Sequence, residues 1–195
     1  MEIDLPRLIL RELEEHDWKA LHSFEGDPEV VRYQSFGPRS EEESREYIRK
    51  CMISRRLTPR MTYDMGVVLK EGNRLIGRCG LHTTSASLGE GVLWYVLHRA
   101  FWGNGYMPEA ARALVDHGFR ELRLHRIIAD CDPENHPSIR VAEKLGMRRE
   151  AHFRENAWIK GEWRDSLIFA VLHHEWPSGP LQPAKGAPAS SARDP

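Results

Sequence analysis

Between Val92 and Phe119 the hydrophobic period changes once, and two glycines mark the change. Val92-Leu-Trp-Tyr-Val-Leu97 is a short, uniformly apolar run that suits a buried strand. Beyond Gly103-Asn-Gly105, residues Met107, Ala110, Ala111, Leu114, Val115, Gly118 and Phe119 recur at i, i+3, i+4, i+7, the stripe of an amphipathic helix. A strand that feeds a helix in this way points to a layered α/β arrangement, because the helix must bury its stripe against the sheet. It also creates a chemical feature. The first helical N–H groups have no internal partners, glycine lets a bulky anion approach the backbone, and the helix dipole favours negative charge. The segment is either a diphosphate cradle or a helix start that merely uses two glycines.

The flanking sequence supplies the other layers. Arg7–Arg11 reads as a strand, and Leu13–Phe24 as a helix with Trp18, Leu21 and Phe24 at helical spacing. Asp27-Pro28 has the residue types of another helix start. Ser40 with Glu43 forms a capping-box pattern before a helix that aligns Tyr47, Ile48, Cys51 and Met52. Tyr63–Leu69 and Leu75–His82 are strands joined by Lys70-Glu-Gly-Asn73. His125–Cys131 is a strand candidate, and Pro137–Leu145 a short helix that stops at Gly146. Arg148–Ile159 and Trp163–Leu172 are strands around a Lys160-Gly161 turn. The order β-α-α-β-β-β-α-β-α-β-β predicts an α/β (α+β) fold whose mixed, mostly antiparallel sheet has about seven strands, with helices on both faces. Tryptophans 94, 102, 158, 163 and 176 are expected in the core. From Pro177 the composition shifts: 177–195 holds five of the twelve prolines and only Leu181 as a sizeable apolar side chain. Residues 1–176 are expected to form the domain and 177–195 a disordered tail.

Charge and cysteine usage exclude several classes. Acids (29) and bases (28) nearly cancel, so the chain lacks the basic field of a general nucleic-acid binder. Cys51, Cys79 and Cys131 are odd in number and far apart, as in a protein of the reducing cytoplasm. The start, Met-Glu-Ile-Asp-Leu-Pro, is acidic where a secretory signal is basic. Val92–Leu97 falls far short of the ~18 apolar residues of a membrane span. Cys131 and His136 have ligand-like chemistry but no clustered second pair, so no metal is expected.

Two phosphate-binding loops can be excluded. A Walker loop needs Gly-Lys-Ser/Thr where this chain has Gly105-Tyr106, and a dinucleotide fingerprint needs a small residue where Pro108 stands. A second constellation runs Asp132-Pro-Glu-Asn135-His-Pro-Ser138-Ile-Arg-Val-Ala-Glu-Lys144-Leu-Gly-Met147. Asn135 and Ser138 stand at the mouth of the short helix, where they either reach a ligand or cap the helix. Together, Trp102-Gly-Asn-Gly-Tyr106 with Glu109-Ala110, Asn135-x-x-Ser138 with Lys144-Leu-Gly-Met147, and the Arg149–Asp165 run resemble the GNAT superfamily of acetyl-CoA-dependent N-acyltransferases. Within it they resemble the branch that includes the ribosomal-protein N-terminal acetyltransferases. The resemblance covers about residues 7 to 176.

The resemblance implies that backbone N–H groups of Phe101, Trp102, Gly103, Asn104, Gly105 and Tyr106 hold the diphosphate of acetyl-CoA. The strand edge at Tyr95, Val96 and Leu97 would pair with pantetheine amides, and Arg140, with Arg99, would meet phosphate charge. An amine acceptor, either a small molecule or a peptide N-terminus, would be the second substrate, and the assembly a monomer or homodimer. Two departures leave acid and base unassigned: Ala142 replaces a frequent tyrosine, and Val92 a frequent acidic residue. Ser138 is the candidate donor to the departing sulfur, and Asn135 a candidate orienting residue. Glu155 is the candidate base, ahead of His152; the two are an odd number apart, so at most one of them faces the cleft from a regular strand. Two other readings remain: an acyl-CoA-binding or sensing module without turnover, and an interaction domain with a decayed loop.

Overall fold

The computed structural model describes residues 1–85 and 89–177. Eight strands form one sheet: β1 (Glu2–Asp4), β2 (Leu8–Glu12), β3 (Thr62–Leu69), β4 (Arg74–Ser85), β5 (Glu90–Leu97), β6 (Arg126–Cys131), β7 (Arg148–Ile159) and β8 (Glu162–Leu172). The spatial order is β1-β2-β3-β4-β5-β6-β8-β7. Every pairing is antiparallel except that of β5 with β6. Helices α1 (Trp18–Glu25) and α2 (Glu41–Ser54) cover one face, where Leu21, Phe24 and Ile48 pack on Val68, Leu75 and Val96. Helices α3 (Tyr106–Arg120) and α4 (His136–Lys144) cover the other, against Leu93, Ile127 and Ala129.

The expected α3 stripe is buried at all seven positions. Each larger side chain in it contributes about 1.5–3 kcal/mol by leaving water. The Ser40–Glu43 capping box forms as predicted, with Ser40 N–H to Glu43 Oε2 at 2.7 Å and Glu43 N–H to Ser40 Oγ at 3.2 Å. The turn between β7 and β8 places Lys160 (φ 52) and Gly161 (φ 85) in the left-handed region, as a two-residue hairpin requires. Lys160 Nζ then reaches across to the carbonyls of Val31 (2.6 Å) and Arg32 (3.1 Å), tying the hairpin tip to the segment between α1 and α2.

Three expectations need correction. An eighth strand, β1, pairs with β2 through only three residues, too few to show a period. Asp27-Pro28 starts a single turn and no helix: Val30 and Val31 N–H both donate to the Asp27 carbonyl, and Glu29 N–H to its side chain. Asp and Pro serve a turn as well as a helix start, and Gly37-Pro38 follows before an apolar stripe can develop. Trp102, Trp158 and Trp163 are exposed, unlike Trp176. Trp158 and Trp163 are cross-strand partners near the hairpin tip and pack edge-on against each other at 5.2 Å. The expected tail lies outside the described residues, apart from Pro177.

A buried charged cluster joins the α1/α2 layer to the sheet. Arg78 of β4 donates through Nε to Glu25 of α1, and through Nη1 to Tyr47 Oη (2.5 Å) and Asp64 Oδ2 (3.3 Å). Arg39 Nε meets the other Glu25 oxygen at 2.6 Å. Tyr47 donates to Asp64, and the Trp94 ring lies over the Arg78 guanidinium at 4.4 Å. Trp94 also fills the space above Gly80, where a Cβ would come within 1.8 Å of the ring.

Candidate active site

The β5–β6 ladder lasts three residue pairs and ends at Val92 with Ile128. β4 continues beside β5 to Leu97, and β8 continues beside β6 to Cys131. Past Val92 the two parallel strands therefore part, each keeping its outer neighbour. A cavity of about 290 Å³ lies there. Tyr95, Val96 and Leu97 line it from β5, Trp102, Gly103 and Gly105–Pro108 from the loop and α3, and Asn135, Ser138, Arg140 and Lys144 from the α4 side. Glu29, Tyr33 and Gln34, from the segment between α1 and α2, also line it.

Gly103 (φ 80) and Gly105 (φ 76) both adopt the left-handed backbone. A Cβ on Gly103 would meet nothing within 4 Å, so that side of the loop is open for a ligand. The N–H groups of Gly105, Tyr106 and Met107 precede the first helical bond, from Glu109 N–H to the Gly105 carbonyl at 3.3 Å. These features fit the diphosphate of acetyl-CoA. The cradle is narrower than the resemblance implied, because Phe101 and Trp102 turn their N–H groups inward to the carbonyls of His98 (3.0 Å) and Arg99 (3.1 Å). Likewise the Leu97 carbonyl already accepts the Trp102 indole N–H at 2.7 Å, which shifts the expected pantetheine contact toward Tyr95 and Val96.

Arg7, which sequence reasoning missed as a site residue, braces this loop. Its backbone N–H and Nε meet the Glu109 carboxylate at 3.1 and 2.7 Å, and Nη1 meets the Asn104 carbonyl at 2.9 Å. Its guanidinium lies 4.6 Å from the Tyr106 ring centre. Asn104 adds Nδ2 bonds to the Phe101 and Trp102 carbonyls. A basic residue at a strand start carries no sequence signal for a partner 97 positions away. Arg99, by contrast, is engaged with Asp27 at 3.5 Å. Arg140 lines the cavity and is exposed, as a residue facing phosphate charge would be.

At the α4 mouth the two candidate roles separate. Asn135 is the N-cap, its Oδ1 accepting the Ser138 N–H at 3.3 Å. Ser138 caps nothing; its Oγ lies 2.9 Å from Tyr95 Oη and 3.3 Å from Cys131 Sγ. Tyr95 Oη donates its proton to the Ser138 carbonyl at 3.0 Å. Burial, with Cys131 beside it, holds the Tyr95 phenol far above its ordinary range, and burial also raises the Cys131 thiol.

Glu155 and His152 stand differently from expectation. A bulge between Phe153 and Ala157 sets residues 154–156 against Asp165, so alternation fails across it. Glu155 takes φ 48, and its N–H and the His152 Nε2 bind the two oxygens of Asp165 at 2.8 and 2.7 Å. Both side chains are exposed, and neither is among the residues lining the cavity. A different carboxylate, also exposed and not lining the cavity, stands on the strand that borders the gap. Asp130 lies on β6, two residues past the end of the β5–β6 ladder. Strand alternation turns it to the α1/α2 face, opposite to Cys131. It accepts from Ser166 Oγ at 3.2 Å, and Ser166 accepts from Asn156 Nδ2 at 3.2 Å. Partial desolvation, with help from the charge of Asp132, lifts Asp130 above the ordinary carboxylate range. Among the described residues no cluster of His, Cys, Asp and Glu is placed to hold a metal ion. No helix of the described residues is long and apolar enough to cross a membrane.

Parted parallel strands, a left-handed glycine loop at a helix N-terminus and a polar helix mouth across the gap are the features that the resemblance implies for an acyl-CoA-dependent transferase. The family model described as "Acetyltransferase (GNAT) domain" matches residues 7–148, and the chain belongs to that family of N-acetyltransferases, enzymes that use acetyl-CoA. The chain is 35% identical over 176 residues to YnaD of Bacillus subtilis, an uncharacterized N-acetyltransferase, covering 90% of this chain and 99% of the relative. A solved GNAT-family acetyltransferase from Bacillus anthracis superposes with a TM-score of 0.80 at 35% identity, covering 90% of this chain and all of that one. The [ribosomal protein uS5]-alanine N-acetyltransferase of Escherichia coli is 31% identical over 87 residues, 45% of either chain.

Proposed function

We propose that the protein moves an acetyl group from acetyl-CoA to a primary amine, a peptide N-terminus or a small-molecule amine, by direct attack in a ternary complex. One observation carries the reading: a single cavity is lined at once by the glycine cradle, by Ser138 and by Glu29, Tyr33 and Gln34, so the acyl donor and the amine can meet in it. The relative named for an alanine of ribosomal protein uS5 supports including peptide amines among the acceptors tested. Thiol release from acetyl-CoA, measured across polyamines, amino acids, aminoglycosides and short peptides, is expected to depend on one amine class. Binding of acetyl-CoA with no thiol release for any amine would establish the sensing module instead.

Acetyl-CoA supplies an activated acyl group and a good leaving group. The loop and strand edge hold it in place, which converts binding energy into alignment. Ser138 donates a hydrogen bond toward the sulfur. Ser138→Ala is expected to lower kcat about tenfold to a hundredfold, with little change in KM for acetyl-CoA. Asn135→Ala, which removes the cap, is expected to cost about 1 kcal/mol of stability. An unchanged kcat in the serine variant overturns its role.

An amine reaches the site mostly protonated, so a base is needed. We assign it to Asp130, which like Glu155 is exposed and outside the cavity lining but stands on the parted strand itself, two residues past the end of the ladder, with one oxygen beyond the Ser166 bond. The rate is therefore expected to rise with pH through the raised Asp130 value. Asp130→Asn is expected to lose about a hundredfold in kcat and to lose that acid limb. It should not destabilise the fold. A carboxyl with a raised native value binds its proton more tightly when folded, so its ionised form costs stability as pH rises past the ordinary Asp value. A full acid limb in the variant would exclude Asp130.

A further inference from the structure

Past the end of the β5–β6 ladder, the last residues of β6 keep only β8 beside them, as far as Cys131 with Leu167. The turn that follows, Asp132–Asn135, has no ladder partner, yet it must deliver α4 and Ser138 to the cavity. β8 extends beyond this point, and there it carries Arg164, paired on its other side with Ala157 of β7. The guanidinium meets the turn. Nε and Nη2 reach Asp132 Oδ2 at 2.8 and 2.6 Å, and Nη2 reaches Glu134 Oε2 at 3.1 Å. Asp132 Oδ1 accepts the Glu134 N–H at 2.8 Å, and the Asp132 carbonyl accepts the Asn135 N–H at 2.9 Å. Asn135 Oδ1 in turn accepts the Ser138 N–H. A continuous run of bonds therefore joins Arg164 to Ser138. Glu162 takes Nη1 at 3.0 Å, but it lies on β8 itself and holds nothing across to the turn.

We propose that Arg164 is a positioning residue for acetyl transfer: its guanidinium stands in for the strand neighbour that the 132–135 turn lacks, and so fixes the turn from which Ser138 enters the cavity. This rests on the acetyl-transfer reading. Arg164 is not among the residues lining the cavity, so it acts through the turn. The Asp132 side chain is 11% exposed and that of Arg164 20%, which shields the pair better than a surface ion pair. A planar fork across two carboxylates sets a direction as well as a distance, which a lysine ammonium does not. Direction matters here, because a misplacement of about 1 Å at a reacting centre costs about a hundredfold in rate.

Arg164→Lys keeps the charge and loses the fork. It is expected to lower kcat about threefold to tenfold, and Arg164→Met about tenfold to thirtyfold, with KM for acetyl-CoA held within about twofold. Asp132→Ala should match Arg164→Met, whereas Glu162→Gln should leave kcat unchanged. The double variant Arg164→Met/Ser138→Ala is expected to lie within about twofold of Ser138→Ala alone, because the arginine acts through the serine. A second measurement needs no turnover. In Arg164→Met, amide hydrogen exchange at Asn135 and Ser138 should accelerate about tenfold more than exchange along α3. Equal acceleration in α3 would mark a general loss of stability and overturn the proposal. So would an unchanged kcat in both Arg164 variants, losses that multiply in the double variant, or a Glu162→Gln loss as large as that of Arg164→Met. If the native protein releases no thiol with any amine, the acetyl-transfer reading falls, while the exchange rates still decide whether Arg164 fixes the turn.

Discussion

Replacing Gly105 with glutamate is expected to raise the Kd for acetyl-CoA about a hundredfold while leaving the domain folded. The backbone effect alone is smaller. Gly105 has φ 76, and any L side chain there costs about 1–2 kcal/mol of strain. A Cβ at this position meets only the Arg7 guanidinium, at an ordinary 3.5 Å, so nothing in the core must move. The larger effect is charge. A carboxylate about 5 Å from one phosphate charge, at an effective dielectric of about 20, is repelled by about 3 kcal/mol, which is roughly two orders of magnitude in Kd. Arg7 Nη2 stands beside that Cβ, but the guanidinium is already paired with Glu109 and the Asn104 carbonyl, so it offsets only part of the repulsion. Gly105→Gln separates shape from charge and should lose much less affinity. The gap between the two variants should narrow as salt is added. Calorimetry giving one Kd for the native and glutamate forms would remove the cradle from residues 103–107.

The parts of this site legible in the sequence are those written within one local period. The α3 stripe, the glycines at its start and the 148–159 strand each declare themselves over a dozen residues, and their boundaries agree closely with the structure. Asn135 and Ser138 are legible as helix-mouth residues with separate candidate roles, but which of them caps the helix is not, since both residue types cap helices. Only the distances from Ser138 Oγ to Tyr95 and Cys131 show that one caps and the other does not. Glu155 exposes the limit of counting along a strand. The parity argument assumes a regular pleat, and three residues opposite Asp165 break it. Arg7 and Asp130 were missed for a different reason. Each gains its meaning from a partner brought close by the sheet, and a single sequence records no such pairing.

The same limit hides the cluster around Arg78, which gives the largest stability prediction. Its members come from positions 25, 39, 47, 64 and 78, on two helices, a loop and two strands, and none belongs to a motif. Arg78 is 4% exposed, Glu25 fully buried and Asp64 7% exposed. Arg78→Ala would leave Asp64 without a cation and Glu25 with Arg39 alone. Breaking a buried pair from one side costs about 3–5 kcal/mol, a large share of the roughly 5–15 kcal/mol that holds a domain together. Arg78→Met, which restores much of the volume, should do little better, because the missing element is charge. The pH dependence distinguishes this from a simple cavity. Burial already holds Asp64 above the ordinary carboxylate range, even with Arg78 present. Without the guanidinium it should rise further, so the folded variant binds protons more tightly than its unfolded chain. Its stability deficit is then expected to be largest near neutral pH and to shrink as the pH falls through the raised values. Urea midpoints of the native and variant proteins across that range measure it. A pH-independent deficit, or one below about 1 kcal/mol, would show that the cluster is packed rather than charge-bound. Because the Trp94 ring lies on the Arg78 guanidinium and Tyr95 is the next residue along β5, the same variant should also loosen the wall from which Tyr95 reaches Ser138.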